Sequence, residues 1–348
     1  ARLTNHRFVR VNNHEHTDLQ EYLGSYVTTP VDGKLVFREG ILVEALRRGY
    51  WLVLDELNLA PTDVLEALNR LLDDNRELFV PELQETIRPH PDFLLFATQN
   101  PPGAYGGRKV LSRAFRNRFL ELQFEDLPID ELSTILSERC AMPPSRAKLL
   151  VNVYRDLQSR RQGTRIFSGR HGFITLRDLF RWGSRETTDP QALAEDGFRL
   201  LGERVRRSEE RELVRESIEK VFKVKVDDLA LYSTEALHAD PLWPAVCAAA
   251  EAGDPTVLRC VWTPAMRRLF LLASRSLRCG EPLLIVGETG CGKTSVVQLL
   301  AAALSRPLHI VNCHEHTETA DLLGSQRPVR ARDQIRKDTQ AQLAAVLA

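Results

Sequence analysis

Gly287-Glu288-Thr289-Gly290-Cys291-Gly292-Lys293-Thr294 fits the pattern G-x-x-x-x-G-K-[ST]. The flanks fit as well. Leu283-Leu284-Ile285-Val286 is a short apolar run that reads as a buried strand, and Ser295 to Leu304 reads as a helix. A strand, a glycine-rich turn and a helix N-terminus together aim backbone N–H groups at phosphate oxygens. In that frame Lys293 reaches the β- and γ-phosphates, and the Thr294 hydroxyl holds Mg²⁺. A chance match in a glycine-rich turn would not bring a strand and a helix with it.

A repeat changes what this P-loop means. Val311-Asn312-Cys313-His314-Glu315-His316-Thr317 leads to Leu323-Gly324-Ser325, and Val11-Asn12-Asn13-His14-Glu15-His16-Thr17 leads to Leu23-Gly24-Ser25. The offset is 300 residues, and nine of the fifteen positions from 11 to 25 are identical to their counterparts. Such a period is too long for a solenoid and suits a duplicated domain. Subtracting it from the P-loop places the first copy's P-loop just before Ala1. The chain therefore reads as a window cut from a longer tandem array, which the missing initiator Met also suggests. His-Glu-His differs from the helical H-E-x-x-H zinc pair, so a structural or relay role beside the nucleotide is expected rather than a metal.

Composition narrows the class. The 348 residues suggest two or three domains, and 43% hydrophobic content supplies globular cores. Formal net charge is zero, so nothing overall points to nucleic acid or an anionic membrane surface. The basic cluster Arg204 to Arg211 reads as a solvated helix face. The six cysteines (140, 247, 260, 279, 291 and 313) show no C-x-x-C spacing, which suggests thiols in a reducing compartment. No apolar run reaches membrane-spanning length, so no membrane partner is expected.

In chain order, Arg7 to Asn12 reads as a strand and His14 to Thr17 as the cap of a short helix toward Leu23. Val31 to Lys34 is a turn, Leu35 to Phe37 a strand, and Gly40 to Arg48 an amphipathic helix that Gly49 ends. Trp51-Leu52-Val53-Leu54 should be a buried strand with Asp55 and Glu56 at its C-terminal end, the edge where open α/β sheets place ligand chemistry. Two adjacent acids there are costly unless a cation or hydrogen bonds compensate. Asp55 suits Mg²⁺ held through water, and Glu56 suits orienting or deprotonating an attacking water.

Thr62 caps a helix to about Asp73, and a polar hairpin spans Leu78 to Arg88. Phe93 to Thr98 reads as another buried strand, ending near Asn100, which could hold the same water or simply cap a turn before Pro101. Gly103 to Gly107 is expected to be flexible. Ser112 to Phe119 carries Arg113, Arg116 and Arg118, of which Arg116 or Arg118 could act as an arginine finger, and Leu120 to Phe124 would be the last strand. Helices follow over Ile129 to Cys140 and Ser145 to Arg160, then a loop from Gly163 to Gly172. Thr175 caps the next helix, with Arg177 near its start and near phosphate. Ala192 to Phe222 is a long charged helical region, Leu229 to Pro255 a loosely patterned linker, and Val261-Trp262-Thr263-Pro264 opens the helix before the second P-loop.

P-loop, acidic strand end, Asn-ended strand, arginine-bearing helix and helical lid occur in the order expected of AAA+ ATPases. Leu54 to Ala60, Ala97 to Gly103, Ala114 to Phe119 and the two His-Glu-His-Thr elements further resemble the midasin family of giant dynein-related AAA+ proteins. The match is weakest from about Arg185 to Pro255. The resemblance implies tandem α/β modules: an α/β subdomain at 1–126, a helical lid at 127–226, a connector at 227–259 and the start of a second α/β subdomain at 260–348. It implies ATP and Mg²⁺ as ligands, with Gly287, Glu288, Thr289, Gly290, Cys291, Gly292, Lys293, Thr294 and Ser295 around the phosphates and Asp55 and Thr294 on the metal. Glu56 matches the catalytic acid, Asn100 the first sensor, Arg177 the second sensor, and Arg118 or Arg116 the finger. The implied partners are other AAA+ modules of the same chain in an intramolecular ring, and large-subunit precursors of the ribosome with their assembly factors, in the nucleolus and nucleoplasm. No direct nucleic-acid site is evident.

Two other classes fit less well. A MoxR-type chaperone or McrB-type translocase assembles from separate subunits, which the 300-residue repeat opposes. A structural module that binds nucleotide without hydrolysing it is opposed by the intact Asp55 and Glu56.

Overall fold

The computed structural model describes residues 3–28, 34–100, 108–124, 127–163, 174–185, 187, 189–205, 207–315, 317 and 322–324. They fall in two compact units, Ala1–Val224 and Lys225–Ala348. Val31 to Gly33 of the expected turn, the Gly103 to Gly107 stretch, most of the Gly163 to Gly172 loop and His316 lie outside the described residues.

The first unit opens with β1 (Phe8–Asn12), α1 (Leu19–Leu23), β2 (Gly24–Thr28), β3 (Leu35–Glu39), α2 (Ile41–Arg48) and β4 (Trp51–Asp55). It continues through α3 (Thr62–Leu72), β5 (Leu78–Val80), β6 (Glu85–Ile87), β7 (Leu94–Ala97) and α4 (Arg113–Arg116). β1, β4 and β7 form a parallel sheet in that order, and β2–β3 and β5–β6 are antiparallel hairpins. Parallel pairing needs crossovers, and α2 and α3 lie in the two crossovers of this sheet. Gly49 stops α2 in the left-handed region (φ 69°), and a Cβ there would stand 2.6 Å from His90 Nδ1.

The sheet is buried on one face only. Leu52 and Leu54 are fully buried with the helices, whereas Phe8, Leu94 and Phe96 on the alternate face are exposed. The strands expected to be buried are thus covered on one face, and Leu94 and Phe96 of β7 depart from that expectation. Trp51 sits on that second face, stacked on His6 and tilted against Phe96. Leu120 to Phe124 is not a strand. Leu120, Leu122 and Phe124 are exposed, and no described strand offers them a ladder. β2 was not expected; it pairs with β3 from Gly24↔Glu39 to Thr28↔Leu35.

The lid consists of α5 (Ile129–Arg139), α6 (Pro144–Gly163), α7 (Leu176–Ser184), α8 (Pro190–Leu201) and α9 (Ser208–Phe222). The expected single helical region from Ala192 is thus two helices. Trp182 is their fully buried pivot: its indole N–H donates to the Leu193 carbonyl at 2.8 Å. Gly197 is required beside it, since a Cβ would come within 2.1 Å of the ring. Thr175 and Asp178 form a reciprocal capping box at the start of α7.

In the second unit, α10 (Asp228–Leu231), α11 (Thr234–His238), α12 (Trp243–Glu251) and α13 (Pro255–Leu258) replace the expected linker. Side chains of Asp227, Ser233 and Asp254 cap three of these short helices. α14 (Pro264–Arg278) and α15 (Lys293–Ala303) follow. Leu283 to Val286 makes no ladder, contrary to expectation, and Leu283, Leu284 and Val286 are exposed. No strand occurs among the described residues of this unit, so a lone apolar segment has no neighbour to complete its backbone bonds.

A buried relay joins the repeated element to the sheet. Asn13 donates from its backbone N–H (3.0 Å) and its Nδ2 (2.9 Å) to the Asp55 carbonyl, and the Tyr22 hydroxyl donates to Asn13 Oδ1 at 2.6 Å. Burial pushes the Tyr22 hydroxyl up from 10.0 to about 12, against the opposing pull of Asn13 and with a small push from Glu21. Tyr22→Phe is expected to cost about 1–3 kcal/mol, because Asn13 Oδ1 loses its buried donor. The folded chain holds the phenolic proton more tightly than the unfolded one. That contribution is complete below about pH 10 and fades toward pH 12, so the mutational cost should shrink over that window. Urea denaturation of both chains at pH 8 and pH 11 measures it; equal costs at the two pH values would refute the linkage.

Candidate functional site

The first cluster stands at the C-terminal ends of β4 and β7. The register Leu54↔Ala97 brings Asp55 level with Thr98. The Thr98 hydroxyl donates to Asp55 Oδ1 at 2.9 Å, and the Arg10 guanidinium from β1 pairs with Oδ2. Asp55 is nearly buried, while Arg10 is 65% exposed. A cation already rests on an anionic oxygen at the sheet edge, and displacing an exposed arginine costs little. The donor set at Asp55 therefore fits a hydrated Mg²⁺.

Glu56 leaves the strand with φ 51° and ψ 44°, a left-handed conformation that costs a non-glycine residue of order 1 kcal/mol. The turn is held on both sides. Leu57 N–H donates to the Thr98 carbonyl at 2.9 Å, and a 3₁₀ turn (Leu57–Leu59) follows at once. The reversal brings the Glu56 carboxylate beside Asn100, whose Nδ2 donates to Oε1. Arg108 also binds it, with Nη2 at 2.9 Å from Oε1 and 3.1 Å from Oε2, and Nε at 3.2 Å from Oε2. Asn58, buried in the 3₁₀ turn, holds the neighbouring backbone: its Nδ2 donates to the Asn100 carbonyl, and its own carbonyl accepts from Lys109 N–H, both at 2.9 Å.

Asp55, Glu56 and Asn100 are thus brought together. Arg116 and Arg118 lie on and just after α4, where Arg116 pairs with Glu121 at 3.3 Å and Arg118 with Asp73. Arg177 stands exposed in the first turn of α7. Arg10, Thr98, Asn58 and Arg108 were not anticipated. Their partners lie 42 to 52 residues away, so no local pattern marks them. The cost of two adjacent acids was the available hint that cations must stand nearby.

The P-loop belongs to the second unit. Gly290 (φ 84°) and Gly292 (φ 83°) are left-handed, and Gly292 is the N-cap of α15. A Cβ on Gly287 would meet Cys291 Sγ at 2.9 Å, and one on Gly292 would meet Met266 Cε at 3.0 Å. The loop curls back on itself. Lys293 Nζ donates to the carbonyls of Gly287 (2.8 Å) and Glu288 (2.6 Å), and Cys291 Sγ donates to the Glu288 carbonyl. Glu288, Thr289, Thr294 and Ser295 are exposed. A half-buried lysine folded over a glycine cradle at a helix N-terminus fits a phosphate chain. Beside it lies a cavity of about 610 Å³, walled by Pro255, Cys260, Thr263 and Met266 on one side and by Gly290 to Gly292 and Leu299 on the other. That volume falls in the range of small-molecule sites.

The second copy of the repeat keeps the first one's local bond: His14 N–H donates to Thr17 Oγ1 at 2.8 Å, and His314 N–H to Thr317 Oγ1 at 2.8 Å. The threonine hydroxyl of this element thus caps its backbone in both copies. Among the described residues no group of three His, Cys, Asp or Glu is placed to hold a metal ion. No described helix is long and apolar enough to cross a membrane.

Comparison with known proteins agrees with these features. Residues 1–119 and 282–345 match the AAA domain of the dynein-related subfamily, and residues 131–225 match the midasin AAA lid domain. Midasin of Dictyostelium discoideum is 56% identical over 339 residues, covering 95% of this chain and 6% of that protein. Midasin of Giardia intestinalis is 44% identical over 339 residues, covering 93% and 7%. An uncharacterized protein of Staphylococcus epidermidis is 31% identical over 133 residues, 37% of this chain and 50% of that one. The chain spans well under a tenth of the midasins it matches. With more than half its residues on the one domain model and near-complete coverage by two midasins, the chain belongs to the dynein-related AAA family and is homologous to a segment of midasin.

Proposed function

We propose that this chain is part of an ATP-driven AAA+ mechanoenzyme that releases assembly factors from large-subunit precursors of the ribosome, in the nucleolus and nucleoplasm. The observation that carries the ATPase reading is the contact of Asn100 with Glu56 at one sheet edge, beside Asp55. The ribosomal substrate and the nuclear location rest on the likeness to midasin alone. We place an α/β subdomain at 1–126, its lid at 127–226, a connecting region at 227–259 and the start of the next module at 260–348. The neighbouring modules of one long chain are the proposed partners in a ring.

In this reading Lys293 and the N–H groups from Gly290 to Ser295 bind the phosphates of ATP, and the 610 Å³ cavity takes the nucleoside. Asp55 and Thr294 are the Mg²⁺-holding positions of their respective modules. Bound Mg²⁺ neutralises charge on the phosphate oxygens. Glu56 accepts a proton from the attacking water, and Asn100 orients that water. Arg118, or Arg116, leaves its present carboxylate partner to reach a neighbouring module's nucleotide, and Arg177 contacts phosphate from the lid.

Glu56→Gln in the full-length protein is expected to lower turnover at its site by about 10²-fold or more while nucleotide stays bound. Site-resolved nucleotide occupancy is the measurement, and unchanged turnover would favour a purely structural nucleotide-binding module. Lys293 and Glu56 lie in different units, so the 348-residue chain alone should bind ATP weakly and hydrolyse only a trace. Lys293→Ala should abolish that binding in a titration with a fluorescent ATP analogue; ATPase activity above a trace that depends on Lys293 would contradict the two-site assignment. Arg118→Ala in the full-length protein is expected to cost roughly 10³-fold in turnover at a neighbouring module while Glu56's own site keeps working. If Arg118→Ala and Arg116→Ala both leave every other site unaffected, the finger assignment is wrong.

A further inference from the structure

The N-terminal edge of the sheet, at the opposite end from the acids, carries a cluster that the nucleotide chemistry does not use. The register Phe8↔Trp51 sets Arg7 beside Tyr50 there. Trp51 N–H donates to the Arg7 carbonyl at 2.9 Å, and Tyr50 N–H donates to the Ala45 carbonyl of α2 at 3.0 Å. The Tyr50 ring packs against the core, so its hydroxyl is a fixed point at the surface. Two guanidinium groups converge on that oxygen. Arg7 Nη1 donates to it at 3.0 Å and Arg48 Nη1, from the last turn of α2, at 3.3 Å. The Arg7 guanidinium also lies over the Tyr50 ring, 4.7 Å from its centre.

A phenol has one proton to give and two lone pairs with which to accept. Both lone pairs are taken by cations here, so the proton points elsewhere, and no acceptor for it occurs among the described residues. The charge is unbalanced as well. The neighbouring Arg47 is neutralised by Glu39 and Glu85, and Arg48 has Glu44 at 3.3 Å, but Arg7 meets no carboxylate among the described residues. Two guanidinium forks and a hydroxyl proton around one point form a donor set for a tetrahedral oxyanion, the geometry in which arginine holds phosphate. We propose that Arg7, Arg48 and Tyr50 form an anion site, separate from the P-loop, for a phosphate group, carried either by free phosphate or by a phosphorylated side chain. A phosphate held there ties the start of β1 and the end of α2 to the start of β4, the strand that ends in Asp55.

The test is calorimetric titration of inorganic phosphate, at low ionic strength, into the 348-residue chain carrying K293A, which removes the P-loop lysine. Saturable binding with a dissociation constant of about 1 mM is expected. R7Q and R48Q should each weaken it about fivefold or more, because each removes a charge-assisted donor. Y50F keeps both charges and loses only the proton, and should weaken binding about threefold. E44Q frees Arg48 from its acid and should tighten binding about twofold. No saturable binding in the K293A chain, or binding that R7Q, R48Q and Y50F leave unchanged, overturns the proposal. If thermal melting shows that either arginine variant does not fold, Y50F and E44Q decide by the same criterion. With the site in place, a capped phosphoserine peptide separates the sources: tighter binding than inorganic phosphate assigns it to a phosphorylated side chain, and weaker binding to free phosphate.

Discussion

Everything at the acidic edge depends on β4 being hydrogen-bonded in parallel on both sides. β1 holds it from Phe8↔Trp51 to Asn12↔Asp55, and β7 from Trp51↔Leu94 to Leu54↔Ala97. Parallel pairing aligns the C-terminal ends of all three strands, so residues far apart in sequence finish at one edge. The Asp55 carbonyl does not stop at the sheet; it accepts twice from Asn13 and so fixes the start of the repeated His-Glu-His-Thr element. One strand end thereby sets the position of the acids, of Asn100 and of the conserved-spacing repeat that follows β1.

The same edge solves a charge problem. Adjacent carboxylates with little access to water are tolerable only with donors around them. Arg10 and Thr98 serve Asp55, and Arg108 and Asn100 serve Glu56. The left-handed turn at Glu56 separates the two carboxylates into different surroundings, so each has its own partners. The backbone cost of that turn, of order 1 kcal/mol, is offset by charge-assisted bonds that an extended backbone would not reach.

Much of this was legible from local pattern. Glycines at fixed spacing gave the P-loop, the apolar run before Asp55 gave β4, and Gly49 and Thr175 marked helix ends where the structure has them. What was missed is of two kinds. Elements whose identity depends on a neighbour could not be read alone: β2 is a strand because β3 lies beside it, whereas Leu120 to Phe124 and Leu283 to Val286 have strand composition and no ladder. Helices α10, α11 and α13 have four or five residues each, too short to show a period. Side-chain pairs such as Arg10–Asp55 and Arg108–Glu56 bridge more than forty residues, and only the fold reveals them.

Asn58 gives the edge a further property. Its side chain donates to the Asn100 carbonyl and its own carbonyl accepts from the Lys109 N–H, so one residue of a short turn pins two backbone points that are nine positions apart. The same turn sets the direction in which Glu56 leaves β4. Glu56, Asn100 and Lys109 therefore share a single point of reference, and a displacement of that turn moves all three together rather than one at a time.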